Sequence, residues 1–338
     1  MTHDPRTMTA VVKAGDGVDG IRLERVVVPV AGQGEAVIDV VATGICGTDV
    51  HIAHDEYAHE RPVVMGHEVL GIVTSVGSAE DADWKGATVA VETYFSACES
   101  CDLCRAGRRN LCRDRRSIGS FRDGGFASRL LVPVRNLHRM PPTPGELDGV
   151  LSEPLACVTH CLLDPPLVQP GHRVLVTGPG AMGQLAAQVS RACGGIVTLA
   201  GLPADAARLR VATDLGIGTT TERPDDDAFD VVIECSGSAQ GAATALRSAR
   251  RGARYIQVGI FGRDVAVPLD EVLYKELTVS SGFASTPSSW RAAMRLIEAG
   301  DVVLTPLITG RVALPRFFEA LEAAARGDGL KTVVVPVR

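Results

Sequence analysis

Short β-branched runs broken by glycine-rich turns fill the first third of the chain. Residues 10–13, 23–28, 36–41, 69–76 and 88–91 each read as strands, since branched side chains suit a pleated surface and glycine suits the turns between them. Residues 128–132 add another, and 134–140 lead to a proline-rich boundary at 141–144. Little helix is expected in this part. A helix should follow, containing Glu153, His160 and Cys161. Beyond Pro170-Gly171 the period changes. Strand-like runs at 172–177, 196–200, 229–234 and 253–258 alternate with helical stretches that end near Cys193 and cover 205–215 and 240–249. Such alternation predicts a parallel, doubly wound sheet, closed by an edge strand within 275–283. Amphipathic helices at 290–299 and 315–326 and a last strand at 332–337 complete the chain. This tail returns to short strands like those of the first part, so it is expected to rejoin it. No internal repeat, low-complexity segment or long linker interrupts the pattern.

Composition narrows the classes of function. A chain of 338 residues with 46% hydrophobic and 22% charged side chains has enough apolar material for about two well-filled domains. The formal net charge of −6 argues against nucleic acid or an anionic membrane as a main partner. Arginine greatly outnumbers lysine, yet no basic run is dense enough for a binding patch, and Arg113, Arg115 and Arg116 read as a solvated edge. The segment 1–9 carries His3, Asp4 and Arg6 and lacks the apolar core of a signal peptide, and no apolar run reaches membrane-spanning length. Nine cysteines in such a chain point to reduced thiols or metal ligands, and the expected compartment is the cytoplasm.

The cysteines fall into groups of different meaning. Cys98-x-x-Cys101-x-x-Cys104, followed by Cys112, can close a tetrahedron of thiolates around a structural zinc. A second stretch offers a thiolate, an imidazole and a carboxylate: Cys46-Gly47-Thr48-Asp49-Val50-His51 and then Met65-Gly66-His67-Glu68. With no fourth sulfur close by, such a site keeps a coordination position open, as catalytic zinc sites do. Glu153, flanked by Leu151 and Leu155, is placed where a carboxylate needs a cation. Cys157, Cys161, Cys193 and Cys235 have no paired spacing and read as small buried hydrophobes.

Between a hydrophobic strand and a helix, Gly178-Pro179-Gly180-Ala181-Met182-Gly183 becomes a dinucleotide fingerprint, with the helix N-terminus facing a pyrophosphate. The acid expected at the end of the next strand, for the ribose hydroxyls, is absent. Gly201 stands there and the first acid is Asp205. That loss leans towards NADP, but Arg208 and Arg210 lie only on the following helix, so NAD and NADP both stay open.

Taken together, these motifs resemble the zinc-dependent medium-chain dehydrogenases/reductases, in the branch of the polyol (sorbitol) and threonine dehydrogenases. The resemblance spans essentially the whole chain and implies an α/β architecture. A GroES-like, mostly-β catalytic domain (1–152 and 284–338, with a zinc lobe at 94–115) would pack against a Rossmann domain (153–283), the active site lying in the cleft. It implies one catalytic zinc on Cys46 and His67, with Glu68 and Glu153 as direct or exchanging ligands, and one structural zinc on Cys98, Cys101, Cys104 and Cys112. The alcohol dehydrogenases proper have a cysteine where Glu153 stands, which favours the polyol branch. NAD or NADP would lie on the loop 178–183, with Gly201 and Arg208 near the adenosine ribose. Thr48 would accept a proton from the alcohol and His51 would carry it to solvent. The substrate implied is a secondary alcohol of a polyol, sugar or cyclitol, in a pocket that Tyr57, Tyr94, Phe95 and Phe121 could shape. Two alternatives are a threonine-type amino-acid 3-dehydrogenase and a non-catalytic nucleotide-binding protein. Family members pair through the edge of the Rossmann sheet, so Leu277-Thr278-Val279 would join a homodimer or homotetramer.

Overall fold

The computed structural model describes residues 6–337; residues 1–5 and 338, and with them part of the leader reading made for 1–9, lie outside the described residues. The chain divides into two compact units, Met1–Glu153 with Ile308–Arg338, and Pro154–Leu307.

The first unit is built on the strand Glu35–Gly44, whose alternating Val, Ile and Ala side chains are buried on both faces. It runs antiparallel to Glu68–Val76 on one side and to Lys331–Val335 on the other, and it also pairs with Arg129–Pro133. Register brings Gly44 opposite Glu68 and opposite Val333, so the starts of both neighbouring strands meet at the same end of the central strand. Thr88–Val91 and Leu137–Arg139 extend one edge of this seven-stranded sheet and Ile308–Ala313 the other. A smaller sheet joins Thr7–Lys13 to Ile21–Val27 and Val63–Val64.

One helix was not expected here. Gly47–Ala53 consists of Gly, Thr, Asp, Val, His, Ile and Ala, most of them indifferent or poor helix formers. It forms because Cys46 and Asp49 cap it reciprocally and because Ile52 and Ala53 are fully buried. Thr48 and His51 therefore sit on a helix rather than in an open connection, and Glu68 opens a strand. Ile45, Ile52 and Met65 share a core with Phe126 and with Phe317 and Leu321 of the C-terminal helix Phe317–Arg326. The returning tail thus clamps the segments around Cys46 and His67 from below.

The second unit carries a six-stranded parallel sheet. Its strand order is Gly218–Thr220, Ile196–Ala200, Arg173–Thr177, Phe229–Glu234, Ala249–Gln257 and Thr278–Ser281, the 3-2-1-4-5-6 sequence of a Rossmann sheet. The last strand is an edge, as its sequence suggested. The return to the first unit comes later than residue 284. Residues 284–307 belong with the parallel sheet: Thr159 Oγ1 donates to Ser289 O at 2.9 Å, Thr286 Oγ1 to Asp164 Oδ2 at 2.9 Å, and Gln188 is bonded to Val303 from both ends of its amide. Trp290 is fully buried there. Only the strand pair Ile308–Ala313 and Lys331–Val335, with its helix, returns to the first sheet.

Phe317 is fully buried with its ring centroid 4.8 Å from that of Phe126. Phe317→Ala should cost about 3–5 kcal/mol by cavity formation, and Phe317→Leu less than about 2 kcal/mol. Chemical denaturation followed by circular dichroism checks this; equal, small losses for both would show that the tail does not clamp the metal segments.

Candidate active site

Three side chains singled out by their spacing converge in the first unit. The Cys46 sulfur, a ring nitrogen of His67 and a carboxylate oxygen of Glu68 all lie within 4.8 Å of one another. Each is held at the end of a fixed element: Cys46 is the N-cap of the helix Gly47–Ala53, and Glu68 begins its strand directly after His67. A softer sulfur, a nitrogen and an oxygen form a donor set suited to zinc.

Around these donors negative charge predominates. The Cys46 N–H donates to Asp49 Oδ2 at 2.9 Å, while Asp49 Oδ1 lies 3.8 Å from Nδ1 of His67. At that distance, too long for a hydrogen bond, the buried carboxylate acts on the ring through its charge. Burial pushes the Asp49 carboxyl up, against the opposing pull of His67 and the Cys46 N–H. Burial would lower His67, but Cys46, Asp49 and Glu153 together outweigh it and hold the imidazole well above its ordinary value. A ring so surrounded by anions calls for positive charge, and a divalent cation meets that demand in place of the proton. The residues present therefore fit a zinc ion.

Glu68 and Glu153 differ in their surroundings. Both Glu68 oxygens lie 2.7 Å from Nζ of Lys331, which is itself buried and also donates to Ile45 O at 3.0 Å. Burial works against the Lys331 ammonium, but Glu68, Cys46 and Asp49 outweigh it and keep it charged. Gly44 makes this pair possible, since a Cβ at that position would lie 2.1 Å from Glu68 Oε2. Glu153, almost buried at the start of the helix Ser152–Leu163, bears on His67 through its charge but stands outside the three-donor cluster.

Thr48 Oγ1 lies 3.7 Å from the Cys46 sulfur, and His51, one helical turn on, shares its face. His51 Nδ1 is 2.7 Å from Glu56 Oε2. Asp49, Glu56 and Lys331 were not picked out from sequence. Asp49 lies inside the Cys46–His51 motif, and the signal that could have found Lys331 is a lysine opening a valine run in a chain that favours arginine.

The second cysteine group also closes as spaced. The sulfurs of Cys98, Cys101, Cys104 and Cys112 all lie within 4.8 Å of one another, with Cys98 and Cys104 at 3.9 Å. Tetrahedral zinc with bonds of about 2.3 Å separates its sulfurs by roughly 3.8 Å. Main-chain N–H groups of Cys101, Cys104 and Cys98 donate to sulfurs of the group at 3.3, 3.4 and 3.5 Å. N–H groups of Ser100 and Cys101 lower the Cys98 thiol to about 6, whereas burial and neighbouring thiols push Cys104 up to about 12. Four thiolates need a shared cation to coexist, and this set can hold a structural zinc.

In the second unit the glycine fingerprint has the shape that a pyrophosphate requires. Gly178 takes φ +91°, and a Cβ there would strike Ser236 at 2.5 Å; one on Gly183 would lie 1.9 Å from Gly178 O. Gly180, the N-cap of the helix Ala181–Ala192, faces open space. Tight turn, open approach and close helix packing are the three roles of such glycines. Gly201 has a steric cause as well: a Cβ there would meet the Pro179 ring at 2.8 Å. Asp205 Oδ2 accepts from the Leu202 N–H at 2.9 Å, and Arg208 lies 3.3 Å from Asp205 Oδ1.

Several aromatic and cysteine expectations resolve differently. Tyr57 and Phe95 pack against the cores of the first unit, Tyr94 is buried, and Arg116 lies 5.3 Å from the Phe121 ring centroid. Packing thus accounts for much of this aromatic set. Of Cys157, Cys161, Cys193 and Cys235 only Cys161 is buried; the other three are half-covered, Cys193 and Cys235 at the ends of their helix and strand and Cys157 within the helix Ser152–Leu163.

Residues 32–142 match the family described as alcohol dehydrogenase GroES-like domain, and 181–299 that described as zinc-binding dehydrogenase. The chain is 31% identical to a sorbitol dehydrogenase of Halalkalibacterium halodurans, over 98% of this chain and 100% of that one. It is also 31% identical to an L-threonine 3-dehydrogenase of Bacillus velezensis, over 97% and 99%. A zinc-binding dehydrogenase of Sinorhizobium meliloti, solved with NADP, superposes with a TM-score of 0.89 at 32% identity and covers 98% of this chain and 99% of its own. Full-length similarity of this degree agrees with the donor sets and the glycine loop: this chain is a member of the zinc-dependent medium-chain dehydrogenase/reductase family, an NAD(P)-dependent oxidoreductase.

Proposed function

We propose that this protein interconverts a secondary alcohol of a polyol, sugar or cyclitol and its ketone, with NADP as the preferred hydride carrier. The observation that carries this reading is the convergent donor set of Cys46, His67 and Glu68, with Glu153 bearing on it. A zinc ion bound there supplies the positive charge that favours loss of the hydroxyl proton. Thr48, beside the Cys46 sulfur, takes that proton, and His51 releases it to solvent. Asp49 acts on His67 through its charge, and Lys331 holds both Glu68 oxygens in place within reach of the site. The helix N-terminus at Gly180 receives the pyrophosphate, and Arg208, paired with Asp205 on the helix after Gly201, is the cation assigned to a 2′-phosphate. Similarity to a sorbitol dehydrogenase and to an NADP-bound structure supports both halves of the proposal. Equal similarity to a threonine dehydrogenase supports the second reading, an amino-alcohol substrate.

The same proposal extends to assembly and compartment. The edge strand Thr278–Ser281 leaves Val279 half exposed, and the segment just before it exposes Leu269, Leu273 and Tyr274; an open apolar edge of this kind suits a second copy in a homodimer or tetramer. No helix among the described residues is long and apolar enough to cross a membrane, and the nine cysteines form no disulfide, which supports a cytoplasmic enzyme.

The direct test is turnover by zinc-loaded protein on polyols, sugars, cyclitols and threonine, with NAD and NADP in parallel. NADP-linked oxidation of a polyhydroxy secondary alcohol is expected, and Arg208→Ala should raise KM for NADP about 10- to 100-fold while sparing NAD. Turnover of threonine alone would favour the second reading, and equal use of both nucleotides by wild type and variant would remove the role of Arg208. A second prediction concerns the buried pair. Lys331→Met should destabilise the protein by about 3–5 kcal/mol, and adding Glu68→Gln should recover part of that loss, because an unpaired buried carboxylate costs more than a missing pair. Thermal unfolding checks it; additive losses in the double variant would mean that the two groups do not depend on each other.

A further inference from the structure

His51 and Glu56, their side chains 32% and 55% exposed, form a contact that the relay reading does not need, and the backbone beside Glu56 is fixed by buried groups. His51 Nδ1 lies 2.7 Å from Glu56 Oε2, and the Glu56 N–H donates to His51 O at 2.8 Å, so main chain and side chain close on the same residue. The preceding residue, Asp55, takes φ +61° and is held from three sides. Its carboxylate accepts from Gly17 N at 2.6 Å and from Arg61 Nη2 at 2.7 Å, and it pairs with Lys13 Nζ at 2.9 Å. The Gly17 N–H and Lys13 hold that carboxyl at about 2.

Lys13 is fully buried and donates in addition to Ala53 O at 3.1 Å and Gly17 O at 2.7 Å. It therefore ties the last residue of the helix that bears Thr48 and His51 to the loop that bears Glu56. Ion pairs between freely moving surface side chains contribute little, largely because both chains must be ordered to make them. At Glu56 the buried lysine and Asp55 have already fixed the backbone.

We propose that Glu56 is a positioning residue for the proton relay: its carboxylate takes the Nδ1 hydrogen of His51, so that Nε2 is the nitrogen that receives and releases the relayed proton. The inference rests on the relay reading given above. In the neutral imidazole one nitrogen carries hydrogen and the other a lone pair, and a carboxylate accepts only, so the contact assigns the hydrogen to Nδ1. Uptake of a proton at Nε2 gives an imidazolium whose Nδ1 hydrogen stays on the Glu56 contact. Loss of the Nε2 proton to water restores the starting tautomer, so the cycle closes without a proton passing to Glu56. Without Glu56 the ring is free to rotate and to change tautomer, and a fraction of molecules presents the protonated nitrogen to the incoming proton.

Steady-state kinetics of the zinc-loaded full chain, with His51→Gln, Glu56→Gln and the double variant, tests this. His51→Gln should lower kcat roughly tenfold or more, and Glu56→Gln about three- to tenfold with KM and melting temperature unchanged. The double variant should be no slower than His51→Gln alone, since Glu56 acts only through the ring, and Glu56→Asp should recover part of the rate. Nitrogen NMR of His51 should report hydrogen on Nδ1 in the wild type and a mixture in Glu56→Gln. Full activity of Glu56→Gln beside an impaired His51→Gln would overturn the inference and leave the relay standing. Losses that multiply in the double variant would overturn it too, and an unimpaired His51→Gln would remove the relay and the inference together.

Discussion

Burial of charge is the constraint on which the first unit depends. Glu68 and Lys331 meet at 2.7 Å at the ends of two strands that flank the same central strand, and Gly44 leaves the space between them. Neither group could be buried alone at tolerable cost. Their pairing neutralises one carboxylate, while Cys46, Asp49 and Glu153 act together on His67 and hold the imidazole well above its ordinary value. A ring in those surroundings, beside a sulfur and a carboxylate, makes the site a cation site. The pair also ties the last strand of the chain to the segment that carries His67, so the first unit is completed only when the chain returns after Leu307.

The same economy governs lysine elsewhere. The sequence contains four lysines, Lys13, Lys85, Lys275 and Lys331, and three of them are buried. Lys275 donates to Leu246 O, Arg247 O and Ala249 O at the end of a helix and pairs with Asp227 and Glu271. Lys13 and Lys331 likewise bridge carbonyl oxygens and a carboxylate. A compact ammonium with three donors can satisfy convergent oxygens in a space too small for the planar fork of arginine, which here serves the surface. Buried lysine in this chain marks places where separate segments are joined.

Those joints explain what was legible in the sequence and what was not. Motifs whose meaning is local, such as Cys98 to Cys112 or Gly178 to Gly183, could be read because spacing alone fixes which atoms meet. The alternation of strands and helices in the second unit was legible for the same reason, since each crossover is complete within a few tens of residues. The helix Gly47–Ala53 was hidden because its propensity is poor and its stability comes from burial of Ile52 and from a cap. Lys331 was hidden because its partner lies 263 residues away. The boundary at Ile308 was hidden because amphipathic helices look alike whichever sheet they cover, and only contacts such as Thr159 to Ser289 assign residues 284–307.

Metal content measures the central claim most directly. Purified protein, exchanged free of loosely bound ions, should carry two zinc ions per chain by elemental analysis. Cys46→Ser should retain one and remain folded, while Cys101→Ser should destabilise the lobe that its sulfur helps to close. Two tightly held ions in Cys46→Ser, or a single ion in the wild type, would contradict the account of an anionic pocket built to hold a cation.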